Sequence, residues 1–421
     1  MIHTGRAVLL LVRRNLRQHA LSTIATALSL ALAGGLTMAV FVIEGQTRAA
    51  FSGGLGFDAV LGGRGSPLQL VLNSVFHLDT SPGNIPWKLY TEIRRRPYVE
   101  AAVPISVGDN YLNYRIVGTS LDMFEKLNYQ PGRRLTVAPG GRLFDPDLQE
   151  AVIGSVVAQR AGLSIGSTFN PYHGITYDPA QRHDDEYVVV GILEQTNTPN
   201  DRVIFIPIEG IFRMSGHTLR GDGGEYTPRR GKPIPDAVKE VSAVLLKLKP
   251  GQPGFHLFQE VNRQGRVATL AWPIGSVMAE IFDKLGWMAQ VLRLIAYLVV
   301  CVAAASILTG IYNSLSARRR DYAILRALGA RRGVVFVSII AEAKSIAALG
   351  ALLAFPVYAG ILLAAALVVR EQTGVVLDLW VGHPALWITP LAMIAIGGIT
   401  GIIPARKAYA TDVASNLAPL S

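Results

Sequence analysis

The sequence predicts a membrane protein with four transmembrane α-helices in a 1+3 arrangement and a large α/β extracytoplasmic domain between helices 1 and 2. Its composition gives the first two reasons. Of 421 residues, 50% are hydrophobic and only 17% are charged, against roughly 25% charged in average soluble proteins. The mean hydropathy is +0.33. The third reason is that the apolar residues are concentrated in four segments.

The four apolar segments are free of charged residues and run over 21–43, 294–315, 345–369 and 386–403. About 20 apolar residues in a helix cross a bilayer core of roughly 30 Å, and a helix satisfies its own backbone hydrogen bonds there. The fourth segment is the shortest and is extended by Pro384 and Ala385. The first could be mistaken for a signal peptide, but its apolar run continues to Ile43, past the usual core of about 7–15 residues. It is therefore predicted to be an uncleaved anchor.

Basic residues identify the segments that we expect in the cytoplasm. Four arginines precede the first span, six lie between the second and third, and Arg406 and Lys407 follow the fourth, against two acids, Asp321 and Asp412. Short loops rich in Lys and Arg stay in the cytoplasm, so both termini are predicted to be cytoplasmic. Topology and contacts with anionic membrane lipid account for the net charge of +10, and nucleic acid binding is not expected.

These segments set the predicted domain boundaries. They are an amphipathic cytoplasmic segment (1–19), helix 1 (20–43), the outer domain (44–285), helix 2 (286–315), a cytoplasmic segment (316–333), helix 3 (334–369), a short outer loop (370–384), helix 4 (385–403) and a cytoplasmic tail (404–421). The outer domain has no cysteine, because the single Cys301 lies in the second apolar segment. Its length allows it to bury a core without disulfides.

The outer domain has the pattern of a mixed α/β fold. Strands are predicted over 150–155, 187–193, 202–208 and 241–248, where short apolar runs rich in Val and Ile are bounded by turn residues. A short helix is predicted over 156–161. The polar stretches 171–186 and 215–235, rich in Gly and Pro, are expected to be exposed loops.

The outer domain carries no recognisable catalytic or phosphate-binding motif. The sequence lacks the Gly-x-x-x-x-Gly-Lys-Ser/Thr, Gly-x-Gly-x-x-Gly, Gly-x-Ser-x-Gly and His-Glu-x-x-His patterns. The run His183-Asp-Asp-Glu186, and His77 with Asp79, offer metal-binding side chains, but no paired histidine spacing supports a site. These histidines are expected to be solvated loop residues, and no metal site is predicted.

The cytoplasmic segment between the second and third spans contains a short amphipathic pattern. Tyr322, Leu325 and Leu328 share one face of a helix, and arginines flank it. Such a helix lies on the inner membrane surface or docks into a groove on a cytoplasmic partner. A simple surface loop with positively charged residues is the alternative.

The same segment, Arg320-Asp-Tyr-Ala-Ile-Leu-Arg-Ala-Leu-Gly-Ala330, resembles the coupling segment of FtsX-like permeases. This group, the type VII ABC superfamily, includes MacB, the LolC/LolE lipoprotein extractors and the BceB-type permeases. Glu342 matches the acid near the start of the family's third span, and Pro404-Ala-Arg-Lys-Ala408 with Asp412 resembles its tail, although Val413 replaces the usual Pro. The stretches 152–163 and 190–201 resemble the MacB-type periplasmic domain.

The resemblance implies a bacterial inner-membrane permease subunit of an ABC transporter. Two copies of a separate cytoplasmic ATPase would hold ATP and Mg, so this chain is expected to bind no cofactor and not to be an enzyme itself. A second permease chain, identical or similar, would complete the complex, and a periplasmic substrate-binding or adaptor protein is a further partner. ATP-driven motion would be relayed to the periplasmic domain, a process called mechanotransmission, for export or periplasmic handling of a substrate.

The site residues follow from the same resemblance. Those expected to couple to the ATPase are Arg320, Asp321, Leu325, Arg326, Ala327, Leu328 and Gly329. Glu342 is the transmembrane acid, and Gly34 and Gly35 would allow close helix approach at a dimer interface. Two other roles remain open: lipoprotein release of the LolC/LolE type, and a membrane-anchored sensor or regulator of the FtsX type. A co-purifying ATPase would exclude a simple sensor.

Overall fold

The computed structural model describes residues 2–52, 55–215, 217, 219, 225–228, 232–251, 254–373, 377–378 and 381–410. Its α-helices are α1 (Ile2–Gln18), α2 (Ala20–Ser52), α3 (Pro67–Ser74), α4 (Trp87–Arg94), α5 (Asp122–Glu125), α6 (Ser155–Ala161), α7 (Ile208–Arg213), α8 (Gly254–Phe258), α9 (Ile274–Ala317), α10 (Arg319–Ala327), α11 (Arg332–Thr373) and α12 (Ala385–Ala410). The chain divides into a helical unit and an α/β domain made mainly of Ala49–Leu285.

Among the described residues, four helices are long and apolar enough to cross a membrane. They are Ala20–Gln46, Gly286–Ser316, Arg332–Val369 and Ala385–Tyr409. Each contains one of the four uncharged segments of the sequence. The α/β domain is inserted between the first and the second of them, so that one such helix precedes it in the chain and three follow it.

Small residues let the helices of the helical unit approach closely. A Cβ atom on Gly34 would lie 2.5 Å from Met393 Sδ, and one on Gly35 would lie 2.6 Å from Val357 Cγ1. Both glycines are buried. The close approach that glycine permits is thus made with α11 and α12 of the same chain. This corrects the prediction that Gly34 and Gly35 lie open to a second copy at a dimer interface.

The α/β domain is built on one large mixed sheet. The strands of the domain are β1 (Ala59–Gly63), β2 (Ile85–Pro86), β3 (Val99–Tyr111), β4 (Tyr114–Thr119), β5 (Glu150–Ile153), β6 (Thr168–Phe169), β7 (Tyr172–His173), β8 (Tyr187–Ile192), β9 (Val203–Pro207), β10 (Glu240–Val241), β11 (Ala243–Leu248) and β12 (Ala268–Ala271). Of these, β2 and β10 pair with each other in a separate two-stranded sheet. The sheet order is β12-β1-β11-β3-β4-β9-β5-β8-β6, with β7 also pairing to β3. The pairs β4/β9 and β5/β8 are parallel and the others are antiparallel.

The sheet is buried on both faces, because successive side chains of a strand point in opposite directions. On β11, Leu245 belongs to one apolar cluster, while Val244 and Leu246 belong to another. On β3, Val103 and Ala102 divide in the same way. The strands β5, β9 and β11 therefore have near-continuous apolar sequences, and short apolar runs predicted them. The central strands β3 and β4 were not predicted from the sequence.

The predicted elements of this domain are largely confirmed. The strands expected from the sequence correspond to β5, β8, β9 and β11, and the short helix to α6. Gly162 ends α6 with φ +68°, a left-handed conformation that glycine adopts without a steric penalty. The stretch 171–186 is not a simple exposed loop, since it contains β7 and buries His183. Part of 215–235 lies outside the described residues.

Candidate functional site: the coupling helix and a histidine cluster

The predicted coupling segment folds as the short helix α10. It ends in a pair of hydrogen bonds typical of helix C-termini: Ala330 N donates to Leu325 O, and Gly329 N donates to Arg326 O. Gly329 has φ +98°, as the left-handed residue of this motif requires. The glycine of the segment therefore fixes where the helix stops, and Leu328 occupies the last turn at the cap.

The exposed apolar surface of α10 differs from the predicted face. Leu328 is 82% exposed and Ile324 is 42% exposed, and residues four apart lie on the same side of a helix. Tyr322 instead packs against the core of the helical unit, and Leu325 is half-buried. The outward apolar pair is thus Ile324 and Leu328.

The other predicted coupling residues surround this pair. Asp321, Arg320, Ala327 and Gly329 are exposed, and Arg326 is half-buried. Asp321 lies in the first turn of α10, where an acid interacts favourably with the helix dipole. The tail residue Asp412, which resembles a family position, lies outside the described residues.

A buried polar group fastens α10 to two other helices. Glu342 of α11 is buried, and its Oε2 accepts a hydrogen bond of 2.9 Å from Asn15 Nδ2 of α1. Arg318, at the start of α10, places Nη1 3.5 Å from the same Oε2. The amide of Asn15 also lies 3.5 Å from the hydroxyl of Tyr322. Glu342 was predicted from the sequence, but Asn15 and Arg318 were not, because no local pattern relates positions so far apart.

The α/β domain contains a cluster of one aspartate and three histidines. Asp109, His173, His183 and His217 each offer one ligand atom, and these atoms all lie within 4.8 Å of one another. Asp109 Oδ1 is 3.1 Å from His183 Nε2, 3.2 Å from His217 Nε2 and 3.4 Å from His173 Nδ1. The carboxylate is fully buried, whereas the His173 side chain is 56% exposed.

Sheet pairing and loop folding bring this cluster together. Asp109 follows a bulge in β3, and His173 on β7 is its direct neighbour across the sheet. His183 lies just before β8, and His217 lies just after α7. Burial alone would raise the pKa of Asp109, but the contacts with three imidazoles hold it well below its usual range. The side chain is therefore an anion at neutral pH.

The cluster corrects the prediction made for the histidines. His183 is buried, and neither His77 nor Asp79 belongs to the group. The sequence offered one weak signal, a histidine beside acidic residues. The remaining members are separated by tens of residues, so no motif could join them.

Comparisons with known proteins match both parts of the chain. The MacB-like periplasmic core domain family matches residues 23–253, which is more than half of the chain, and the FtsX-like permease C-terminal family matches residues 293–413. A comparison with curated proteins found no match.

Two solved structures are similar to the α/β region. One is the periplasmic region of MacB from Actinobacillus actinomycetemcomitans, with 10% identity and a TM-score of 0.32, covering 54% of this chain and 94% of that one. The other is the extracellular domain of the noncanonic ABC-type transporter YknZ from Gram-positive bacteria. It has 13% identity and a TM-score of 0.29, and the match covers 51% of this chain and 99% of that one.

Proposed function

Because this chain belongs to the FtsX-like permeases with a MacB-like periplasmic core domain, we propose that it couples ATP hydrolysis on a separate ATPase to motion of its α/β domain. The observation that carries the proposal is α10, a short helix with an exposed apolar pair at one end and a buried polar anchor at the other. A partner docked on such a helix can move it, and the helices bound to it through the polar anchor would move as well.

The four apolar helices would span the inner membrane in the 1+3 arrangement, with both termini and α10 in the cytoplasm. The concentration of arginine before the first helix and around α10 supports this orientation. The α/β domain would then lie in the periplasm. It would be connected to the cytoplasmic ATPase only through the membrane helices.

The anchor at Glu342 supports transmission from α10 into the membrane. It brings together residues of α1, α10 and α11 in one buried polar group. A buried ion pair is costly to break, so the three helices would move together rather than slide past one another. Force applied at Leu328 would therefore reach the long helix α11.

The full assembly would contain two permease chains and two ATPase subunits, with ATP and Mg held by the ATPases. Gly34 and Gly35 pack within one chain, so the second copy would use another surface. Exposed apolar residues of α9, such as Trp287, Leu294 and Leu298, offer one that can face either lipid or a second copy. Substrate export or periplasmic handling, with a periplasmic adaptor, is the expected role. Lipoprotein release and a sensor or regulator role of the FtsX type remain alternatives.

Replacing Ile324 and Leu328 together with Asp is expected to abolish permease-stimulated ATP hydrolysis. Each side chain would bury apolar surface worth roughly 1.5–3 kcal/mol in a partner groove, and a carboxylate would resist that burial. The measurement is ATPase activity of the co-purified complex in nanodiscs. Both residues are exposed, so the permease itself should remain folded.

The matched control replaces two exposed apolar residues of the α/β domain, Leu148 and Ile165, with Asp, and should leave stimulation unchanged. Wild-type activity in the Ile324/Leu328 variant would exclude docking through α10. The segment would then serve only as a signal for membrane topology.

Cysteine labelling tests the proposed orientation. In a Cys301→Ala background, a cysteine at exposed Asp184 should react with a membrane-impermeant thiol reagent in intact cells. A cysteine at exposed Arg331 should react only after the cells are permeabilised, because the arginine-rich segments are expected inside. The reverse pattern would reject both the orientation and the coupling role of α10.

A further inference from the structure

The cluster of Asp109, His173, His183 and His217 has a protonation pattern that its hydrogen bonds largely fix. His183 Nδ1 lies 2.6 Å from Ser215 O, and His217 Nδ1 lies 3.1 Å from Ile211 O. A carbonyl oxygen can only accept, so both Nδ1 atoms must carry the proton. In the neutral imidazole the other nitrogen, Nε2, then has a free lone pair.

Both lone pairs point at the same oxygen. The Nε2 atoms of His183 and His217 lie 3.1 and 3.2 Å from Asp109 Oδ1, and an ionised carboxylate has only acceptor sites. Three acceptors facing one another in a buried place repel, so positive charge is needed between them. One cation at the centre would accept these lone pairs and remove the repulsion.

The geometry favours a single cation. His173 Nδ1 adds a third imidazole nitrogen to the group, 3.3 Å from His217 Nε2. One divalent cation would satisfy all four donors at once. In addition, Asp109 Oδ2 is buried without a hydrogen-bond partner among the described residues. Such an atom requires an explanation, and a bound cation would supply one.

We propose that the α/β domain binds one divalent transition-metal ion of the zinc class through Asp109, His173, His183 and His217. Three imidazole nitrogens and one carboxylate oxygen form the four-coordinate donor set that Zn²⁺ accepts. Calcium and magnesium require oxygen ligands. Cu(I) favours soft sulfur ligands, and the domain has no cysteine.

The hydrogen bonds around the cluster match those of built metal sites. Metal-bound histidines usually donate their other ring N–H to a carbonyl or carboxylate, which fixes the ring and the tautomer. Here Ser215 O accepts from His183, and Ile211 O accepts from His217. An open surface cavity of about 310 Å³, lined in part by His173 and His183, gives an ion a path from solvent.

The ion would tie distant segments of the domain to the central strand β3. Its ligands come from β3, β7, the stretch before β8 and the end of α7, over positions 109 to 217. Four protein ligands leave no open position for catalysis, so the site suits an ion that holds these segments in place. This role is independent of the proposed coupling to an ATPase and stands or falls on metal binding alone.

Metal content of the full-length protein tests the site. The purified protein in nanodiscs is stripped with a chelator, dialysed against Zn²⁺ alone and measured by elemental mass spectrometry, with one zinc ion per chain expected. Zinc at a hundredfold excess over its Kd should raise the melting temperature of the α/β domain by about 5–10 °C. Co²⁺ in place of zinc should give the visible absorption of a tetrahedral nitrogen-rich site.

The variants are chosen so that folding failure does not obscure the result. His173→Ala removes the most exposed ligand and should weaken zinc affinity by more than the roughly 10–100-fold that the loss of an outer-shell partner costs. The double variant His183→Ala/His217→Ala should lose binding. His256→Ala changes an exposed histidine outside the cluster and should bind as wild type does. If wild-type protein takes up no zinc, or if His256→Ala loses as much affinity as His173→Ala, the proposal is wrong.

Discussion

Replacing Glu342 with Ala is expected to destabilise the helical unit by about 3–5 kcal/mol, because it leaves the buried Arg318 without its counter-charge. The same change removes the acceptor of the Asn15 hydrogen bond. Since three helices meet at this carboxylate, stimulation of the ATPase should fall together with stability. Thermal unfolding in detergent and ATPase activity in nanodiscs measure the two effects.

A double substitution separates charge from packing. When Arg318 is replaced by Met in the Glu342→Ala background, no buried charge remains unpaired. A well-packed apolar replacement of a buried ion pair is often neutral or even stabilising, so the double variant should recover most of the lost stability. If the double variant is as unstable as the sum of its two single changes, the ion pair is not what holds α1, α10 and α11 together.

Replacing Asp201 with Ala should lower the free energy of unfolding of the α/β domain by about 2–5 kcal/mol. This fully buried carboxylate accepts hydrogen bonds from the backbone N–H groups of Thr196 and Asn197 and from the Thr196 hydroxyl, at 2.8–3.1 Å. Its loss would leave buried donors unpaired, at roughly 1–3 kcal/mol each. Urea unfolding of the full-length protein, followed by pulse proteolysis, measures the change.

The isosteric variant Asp201→Asn should be milder. Burial raises the pKa of Asp201, so the site disfavours the charge, and a neutral amide keeps one acceptor oxygen for the turn. Asp147→Ala, at an exposed acid in the same domain, should change stability by less than about 0.5 kcal/mol. Equal losses in the Ala and Asn variants would show that the turn does not depend on this acceptor.

The division of the chain into apolar helices and one inserted α/β domain could be predicted because its causes are local. A span needs only an uncharged run of sufficient length, and Ala20–Gln46 contains one. Likewise β8 and β9 could be predicted from short Val- and Ile-rich runs between turn residues, and the end of α6 from Gly162. Each of these signals is complete within about twenty residues.

The outward face of α10 could not be predicted from its own sequence. The spacing of Leu325 and Leu328 predicts a helix, and this segment forms α10. The spacing does not predict which side of α10 is exposed. Tyr322 turned inward because it packs against the core of the helical unit, and that packing depends on helices far away in the sequence. The outward pair became Ile324 and Leu328.

The sequence by itself determined the number of apolar helices, the position of the inserted domain and the family to which both parts belong. Only the tertiary structure decided that Gly34 packs within the chain, that Glu342 meets Asn15 and Arg318, and that three histidines surround Asp109. The physical reason is common to all three. The partner of a buried polar group, or of a residue in a close helix contact, is distant in the sequence. Sheet register and helix packing determine which distant residue lies opposite it.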